Sequence, residues 1–116
     1  LRGREHAVLT GMVLFDAQHQ RQTLQVVKTV VHMRDYTDAE ICHYVDSGKP
    51  MDKAGAYAIQ DPDFTPVACI EGCYTNVVGL PLCHLYDMLS GWDVQIPIRP
   101  LTCCPSAVET GCSGAI

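Results

Sequence analysis

The chain has 116 residues, 47% of them apolar and 18% charged, with a net charge of −5. Low charge with ordinary hydrophobicity excludes intrinsic disorder and fits one small domain, or part of a larger one. The acidic balance excludes a general nucleic-acid binder, which needs clustered Lys and Arg, and no stretch approaches the ~18 uninterrupted apolar residues of a membrane span. Neither a nucleic-acid polymer nor a membrane is therefore expected as a partner. No charged-then-apolar leader resembles a signal peptide, so a cytoplasmic location is expected. The chain opens at Leu1 without an initiator Met, and the expectation is an upstream segment that is missing or processed away.

In chain order, Ala7 to Phe15 (AVLTGMVLF) is apolar and partly β-branched, and predicts a buried strand. Gly11 within it predicts a bulge or a close backbone approach. Asp16 to Gln22 has the polarity and length of a turn. Thr23 to Met33 predicts a second strand, and the two together an antiparallel hairpin. Thr37 to Ser47 predicts a helix. Thr37 and Glu40 form a capping box, Ile41, Tyr44 and Val45 make an apolar stripe, and Gly48 with Pro50 ends it. Asp52 to Gln60 reads either as a helical turn or as a loop at a site. Pro62 to Pro66 is a turn and Val67 to Glu71 a short buried strand. Gly79-Leu80-Pro81 opens a second helix with Pro near its first position and Leu82, Leu85, Met88 and Leu89 as its core stripe. Gly91 ends that helix, and Trp92 to Pro97 predicts a short edge strand. Residues 98–116 have no periodicity and read as an irregular Cys-rich tail. Strands and helices with buried alternation make the class α/β or α+β.

Seven cysteines (Cys42, Cys69, Cys73, Cys83, Cys103, Cys104, Cys112) cannot all pair within one chain. Reduced thiols are the expectation. A zinc site from Cys69 and Cys73 with Cys83-His84 or Cys42-His43 is the sharper alternative, but no paired CxxC supports it. No Gly-x-Ser-x-Gly or Gly-rich phosphate loop is present, which disfavours serine hydrolases and phosphate-loop enzymes.

The stretch Asp46 to Leu82 (DSGKPMDKAGAYAIQDPDFTPVACIEGCYTNVVGLPL) carries a family resemblance. Its Asp-Lys-Ala-Gly-x-Tyr-x-Ile-Gln, Ile-x-Gly and Asn-Val-x-Gly-Leu-Pro segments resemble the C-terminal half of the Maf family of nucleoside triphosphate pyrophosphatases. His6-Ala7-Val8-Leu9-Thr10-Gly11 resembles that family's His-x-Val-x-Thr-Gly strand, and the resemblance runs from about Leu1 to Pro97. It implies an α/β fold, a Maf/ITPase-like mixed sheet with flanking helices, here lacking the N-terminal half. Residues 1–97 would be the C-terminal part of that domain. It further implies hydrolysis of the α–β phosphoanhydride of a nucleoside triphosphate, giving the monophosphate and pyrophosphate with a divalent metal (Mg²⁺ or Mn²⁺).

The Ile-Gln ending resembles the branch acting on dTTP and UTP, which implies substrate-binding roles for Gln60, Lys53 and Tyr57. An amide offers both donor and acceptor for pyrimidine discrimination. Lys53 adds a point charge near phosphates. Tyr57 packs or stacks beneath the base. The bland readings are a solvated Lys53, a core Tyr57 with its hydroxyl at the rim, and a surface Gln60. Lys49 stands where the family typically has Glu.

The family's Ser-x-Ser-Pro-Arg-Arg, Ala-Asp-Thr and first Gly-Lys-Pro segments do not occur in this chain. No catalytic residue is therefore assigned, Asp46, Asp52 and Asp61 included, and no metal ligand. The expected function is that of a fragment, or one part, of a dTTP/UTP pyrophosphatase. Its expected partners are a nucleoside triphosphate and either the missing half or a second copy in a homodimer. The alternative is a non-catalytic Maf-like binding or assembly module.

Overall fold

The computed structural model describes residues 1–97, so the expected Cys-rich tail lies outside the described residues. Strand β1 (Glu5–Asp16) and strand β2 (Arg21–Met33) form the predicted antiparallel hairpin, paired from Glu5↔His32 to Asp16↔Arg21. The Asp16 carboxylate sets the turn by accepting from the amides of Gln18 (3.0 Å) and His19 (3.2 Å). Gly11 departs from expectation. It pairs with Val26 in unbroken register, and a Cβ there would meet nothing within 4 Å. It is neither a bulge nor a close approach.

Strand β3 (Val67–Glu71) adds to β2, giving the sheet order β1-β2-β3. One face of this sheet carries the core. Met12, Val27, Cys73 and Met88 form one cluster, and Val31, Met33, Tyr36 and Ile70 another. Apolar burial is the main favourable term in folding such a unit.

Between the two clusters lies a polar knot. The Thr29 hydroxyl donates to the Cys73 carbonyl (3.0 Å) and accepts from the Cys73 amide (3.1 Å). Asn76, 1% exposed, directs its amide toward Thr29 Oγ1 (3.0 Å) and the carbonyls of Val8 (3.2 Å) and Val27 (3.3 Å). Gly72 permits this approach. Its φ is +124°, and a Cβ would sit 3.1 Å from Thr29 Oγ1 and 3.2 Å from the Lys28 carbonyl.

Helix α1 (Asp38–Asp46) has the predicted capping box: the Glu40 amide donates to Thr37 Oγ1 (3.2 Å) and the Thr37 amide to Glu40 Oε2 (2.7 Å). Of its stripe, Tyr44 is buried and Ile41 half-buried, but Val45 is exposed. Gly48 takes the left-handed conformation at φ 75°, and the chain then coils into two 3-10 turns, Lys49–Asp52 and Ala54–Ala56. Helix α2 (Tyr74–Val78) was not expected, because Tyr-Thr-Asn-Val-Val is rich in residues that disfavour helix. The Asn76 anchorage holds it instead. Helix α3 (Leu82–Ser90) follows. Pro81 occupies its N-cap rather than its first turn, and Thr75 Oγ1 accepts the Leu82 amide at 3.0 Å. Met88 is the buried residue of its stripe, whereas Leu82 is exposed.

The edge strand expected at Trp92 to Pro97 is not formed. The amides of Trp92 and Val94 both donate to the Leu89 carbonyl at the end of α3 (3.0 and 3.2 Å), so they are not available to a sheet. The Trp92 ring lies 4.6 Å from the Arg21 guanidinium, a cation–π contact against the hairpin. Cys69 is disulfide-bonded, which departs from the expectation of reduced thiols. Among the described residues no helix is long and apolar enough to cross a membrane.

Truncating Asn76 removes one donor from the Thr29 hydroxyl and from each of two strand carbonyls. Asn76→Ala is expected to lower unfolding free energy by about 2–3 kcal/mol, read as a shift of the urea midpoint with unchanged slope.

Candidate functional site

Two cavities meet at Tyr57. The larger, about 400 Å³, lies between α1 and the end of β2 and is walled by Met33, Tyr36, Ile41, Tyr44, Tyr57 and Phe64 among others. The smaller, about 280 Å³, is walled by His6, Val8, Ala54, Gly55, Tyr57 and Val77. Tyr57 is the partition between them. Gly55 (φ 70°) and Ala56 (φ 62°) both adopt the left-handed conformation, and this double reversal turns the chain before the extended Tyr57. For Ala56 that conformation is strained, since L side chains with a Cβ rarely adopt it.

The Tyr57 hydroxyl is 2.8 Å from His6 Nε2, with the two rings edge-on at 5.7 Å. Burial raises the Tyr57 phenol above its ordinary value, so it stays neutral and can donate. Burial lowers His6, which favours the neutral ring. His6 was not among the expected site residues. The signal available was its inward register on β1, in step with Val8 and Met12.

The larger cavity is aromatic. Tyr44 stacks on Phe64 at 4.2 Å, and Phe64 meets Tyr36 edge-on at 5.3 Å. The Tyr44 hydroxyl is buried without a hydrogen-bond partner. A flat ring would find apolar and aromatic walls here.

The three expected substrate-binding residues are not brought together in this cavity. Tyr57 lines it. Lys53, on the same loop, is turned away: its Nζ donates to the Lys49 carbonyl (2.6 Å) and to Asp52 Oδ1 (3.0 Å). Gln60 is exposed on the turn that the Asp61 amide closes onto the Ala58 carbonyl (3.2 Å), and it lines neither cavity.

Lys49 has a defined place. Its Nζ lies 2.7 Å from Asp63 Oδ2 and 3.4 Å from Asp61 Oδ1. Asp61 also accepts the amides of Asp63 (2.9 Å) and Phe64 (3.2 Å). The Asp63 amide first, then that of Phe64 and the Lys49 charge, holds the Asp61 carboxyl below its usual range. Lys49 is raised, chiefly by its bond to Asp63. Asp52 is lowered by its bond to Lys53. The Asp52 and Asp61 carboxylates are thus held ionised and engaged.

No three His, Cys, Asp or Glu side chains converge among the described residues, and the zinc pairings weighed from sequence do not form such a set.

Two outcomes are expected from this geometry. His6 is lowered below its ordinary value of 6.5, so protonating it costs more in the folded chain than in the unfolded one. Stability is then full above that value and declines as pH falls through the lower, folded-state value. His6→Gln, which does not titrate, is expected to flatten this window in urea unfolding followed against pH; an unchanged profile would assign the dependence elsewhere. Lys49→Glu sets a third carboxylate beside Asp61 and Asp63. The amides of Asp63 and Phe64 are expected to exchange with solvent about tenfold faster.

The family model described as Maf-like protein matches residues 1–92. A protein of Dehalococcoides mccartyi (strain ATCC BAA-2266 / KCTC 15142 / 195) named dTTP/UTP pyrophosphatase is 49% identical over 89 residues, covering 77% of this chain and 40% of the relative. Proteins of the same name from Acetivibrio thermocellus and Carboxydothermus hydrogenoformans are 48% and 50% identical, over 83% and 79% of this chain and 48% and 50% of theirs. The chain thus spans about half the length of the curated relatives it matches. With its mixed α/β architecture and flanking helices, the chain belongs to the Maf-like protein family.

Proposed function

We propose that this chain is one part of a dTTP/UTP pyrophosphatase and supplies the base-recognising side of the site. The observation that carries this reading is the near-50% identity to relatives bearing that name, over a stretch that includes the Tyr57 loop. In the reaction, water cleaves the α–β phosphoanhydride, and the products are the nucleoside monophosphate and pyrophosphate. A divalent cation would assist such chemistry by neutralising charge on the phosphates.

In this reading Tyr57, held by His6, forms the platform beside the base. Gln60 stands exposed on its turn, where its amide is available to a pyrimidine. Lys53 would release Asp52 and turn toward phosphate, an exchange of one carboxylate-like partner for another. The partners are a nucleoside triphosphate and the complementary part of the fold, with a homodimer as the other arrangement, and the setting is the cytoplasm. The second reading, a non-catalytic binding or assembly module, is supported by the exposed apolar face of the hairpin.

The chain alone is expected to release no pyrophosphate from dTTP or UTP with Mg²⁺. Joined in one polypeptide to the part of the Carboxydothermus relative that it does not match, it is expected to turn over dTTP and UTP and not CTP or GTP. Gln60→Ala in that protein is expected to lower kcat/KM for UTP by roughly a hundredfold, the equivalent of leaving one buried polar partner unsatisfied. A folded but inert fusion would favour the assembly module.

A further inference from the structure

The segment from Lys49 to Asp61 carries Lys53, Tyr57 and Gln60, the three residues expected to meet a nucleotide. Its two ends touch. Lys49 Nζ lies 3.4 Å from Asp61 Oδ1, across a sequence separation of 12, and 2.7 Å from Asp63 Oδ2. A stretch of this length with its ends together is a closed surface loop, packed by its own side chains.

The Gln60 end is held through Asp61. The Asp61 side chain is only 5% exposed, although Gln60 beside it is exposed. Its Oδ1 accepts the amides of Asp63 (2.9 Å) and Phe64 (3.2 Å), and its own amide donates to the Ala58 carbonyl (3.2 Å). Gln60 is therefore followed by a residue fixed at both backbone and side chain. Lys49 supplies the positive charge that this sheltered carboxylate faces. Without it the carboxylate must find solvent by moving the turn. The shorter contact, to Asp63, ends on a side chain 76% exposed, where solvent screens the pair. The contact to Asp61 is thus the one that sets position. The lysine itself stands on a firm base, because Pro50 beside it is buried and its carbonyl accepts from Lys53 Nζ at 2.6 Å.

We propose that Lys49 is a positioning residue for base recognition: by clamping Asp61 it fixes the turn from which Gln60 meets the pyrimidine. This deepens the functional reading above and rests on it. A recognition amide must present its donor and acceptor in one orientation, and freedom left in the turn is lost on binding and weakens it. Lys49 acts through Gln60 and touches no substrate.

Hydrogen exchange on the chain itself tests the clamp without any turnover. Lys49→Met keeps the stem and drops the charge. The amides of Asp61, Asp63 and Phe64 are expected to exchange about tenfold faster in it, with β2 unchanged, whereas Lys49→Arg is expected to stay within about twofold of the unsubstituted chain. Asp61→Asn, which retains an acceptor for the two amides and drops the charge, takes the place of Lys49→Met if that variant does not fold. Unchanged exchange in the folded variant would overturn the proposal. The polypeptide that joins this chain to the unmatched part of the Carboxydothermus relative tests the consequence. Lys49→Met is expected to lower kcat/KM for UTP about tenfold with Gln60 present and less than about twofold in the Gln60→Ala background, since coupled residues are not additive. Lys49→Arg is expected to restore the rate. Equal losses in both backgrounds would make Lys49 a direct contact or a plain stabiliser and would overturn the proposal. An active fusion indifferent to Lys49→Met would overturn it as well and leave the pyrophosphatase reading intact. An inert fusion with the expected exchange pattern would sink the pyrophosphatase reading and leave Lys49 as the residue that fixes the Gln60 turn.

Discussion

The interaction on which the architecture turns is the one between Thr29 and the Cys73–Asn76 segment. One hydroxyl in the middle of β2 serves a carbonyl, a backbone amide and a side-chain amide at once. It stands between the two apolar clusters and so replaces what would otherwise be a continuous hydrophobic seam. The low dielectric of the interior strengthens each bond and makes each omission costly. Geometry follows from this knot. Gly72 must be glycine for the backbone to come so close, and α2 forms despite its composition because its Asn is held. Thr75 is then placed to receive the first amide of α3.

The Tyr57 loop depends on a different economy, that of charge and backbone conformation. Two left-handed residues in succession reverse the chain, and lysines at 49 and 53 tie it down on carboxylates and a carbonyl. The result is a neutral tyrosine presented between two cavities with a neutral histidine behind it. Lys49 explains itself in this setting. A carboxylate at that position would face Asp61 and Asp63, so the lysine and the two aspartates form a consistent set. Its role is to hold the turn that carries Phe64 against Tyr44, which places one wall of the larger cavity.

The elements written in local chemistry were legible in the sequence. The capping box at Thr37 and Glu40, the alternation of the hairpin and the five residues of β3 all follow from side chains acting on their own neighbours. What was not legible depends on distant partners. Helix α2 exists because of a contact 47 residues away, from Asn76 to Thr29. The segment after α3 fails as a strand because its amides are taken by Leu89 and its indole by Arg21. The site divides in the same way. Tyr57, which the motif sets beneath a base, lines both cavities, but neither the outward turn of Lys53 nor the His6 partner, 51 residues from Tyr57, can be read from spacing.

The knot also orders events in time. The hairpin closes a short loop, and its turn is set by Asp16 through partners two and three residues away. The Thr29–Cys73 bonds close over 44 residues and the Asn76–Val8 bond over 68. Loop closure of that length is entropically costly and is repaid only once both ends are in register. Asn76 needs the carbonyls of Val8 and Val27 side by side, and these lie on different strands of the hairpin. The hairpin is therefore the template, and the C-terminal helices arrive on it. A nascent chain must hold that long two-stranded ribbon, one face still bare, until Asn76 has left the ribosome.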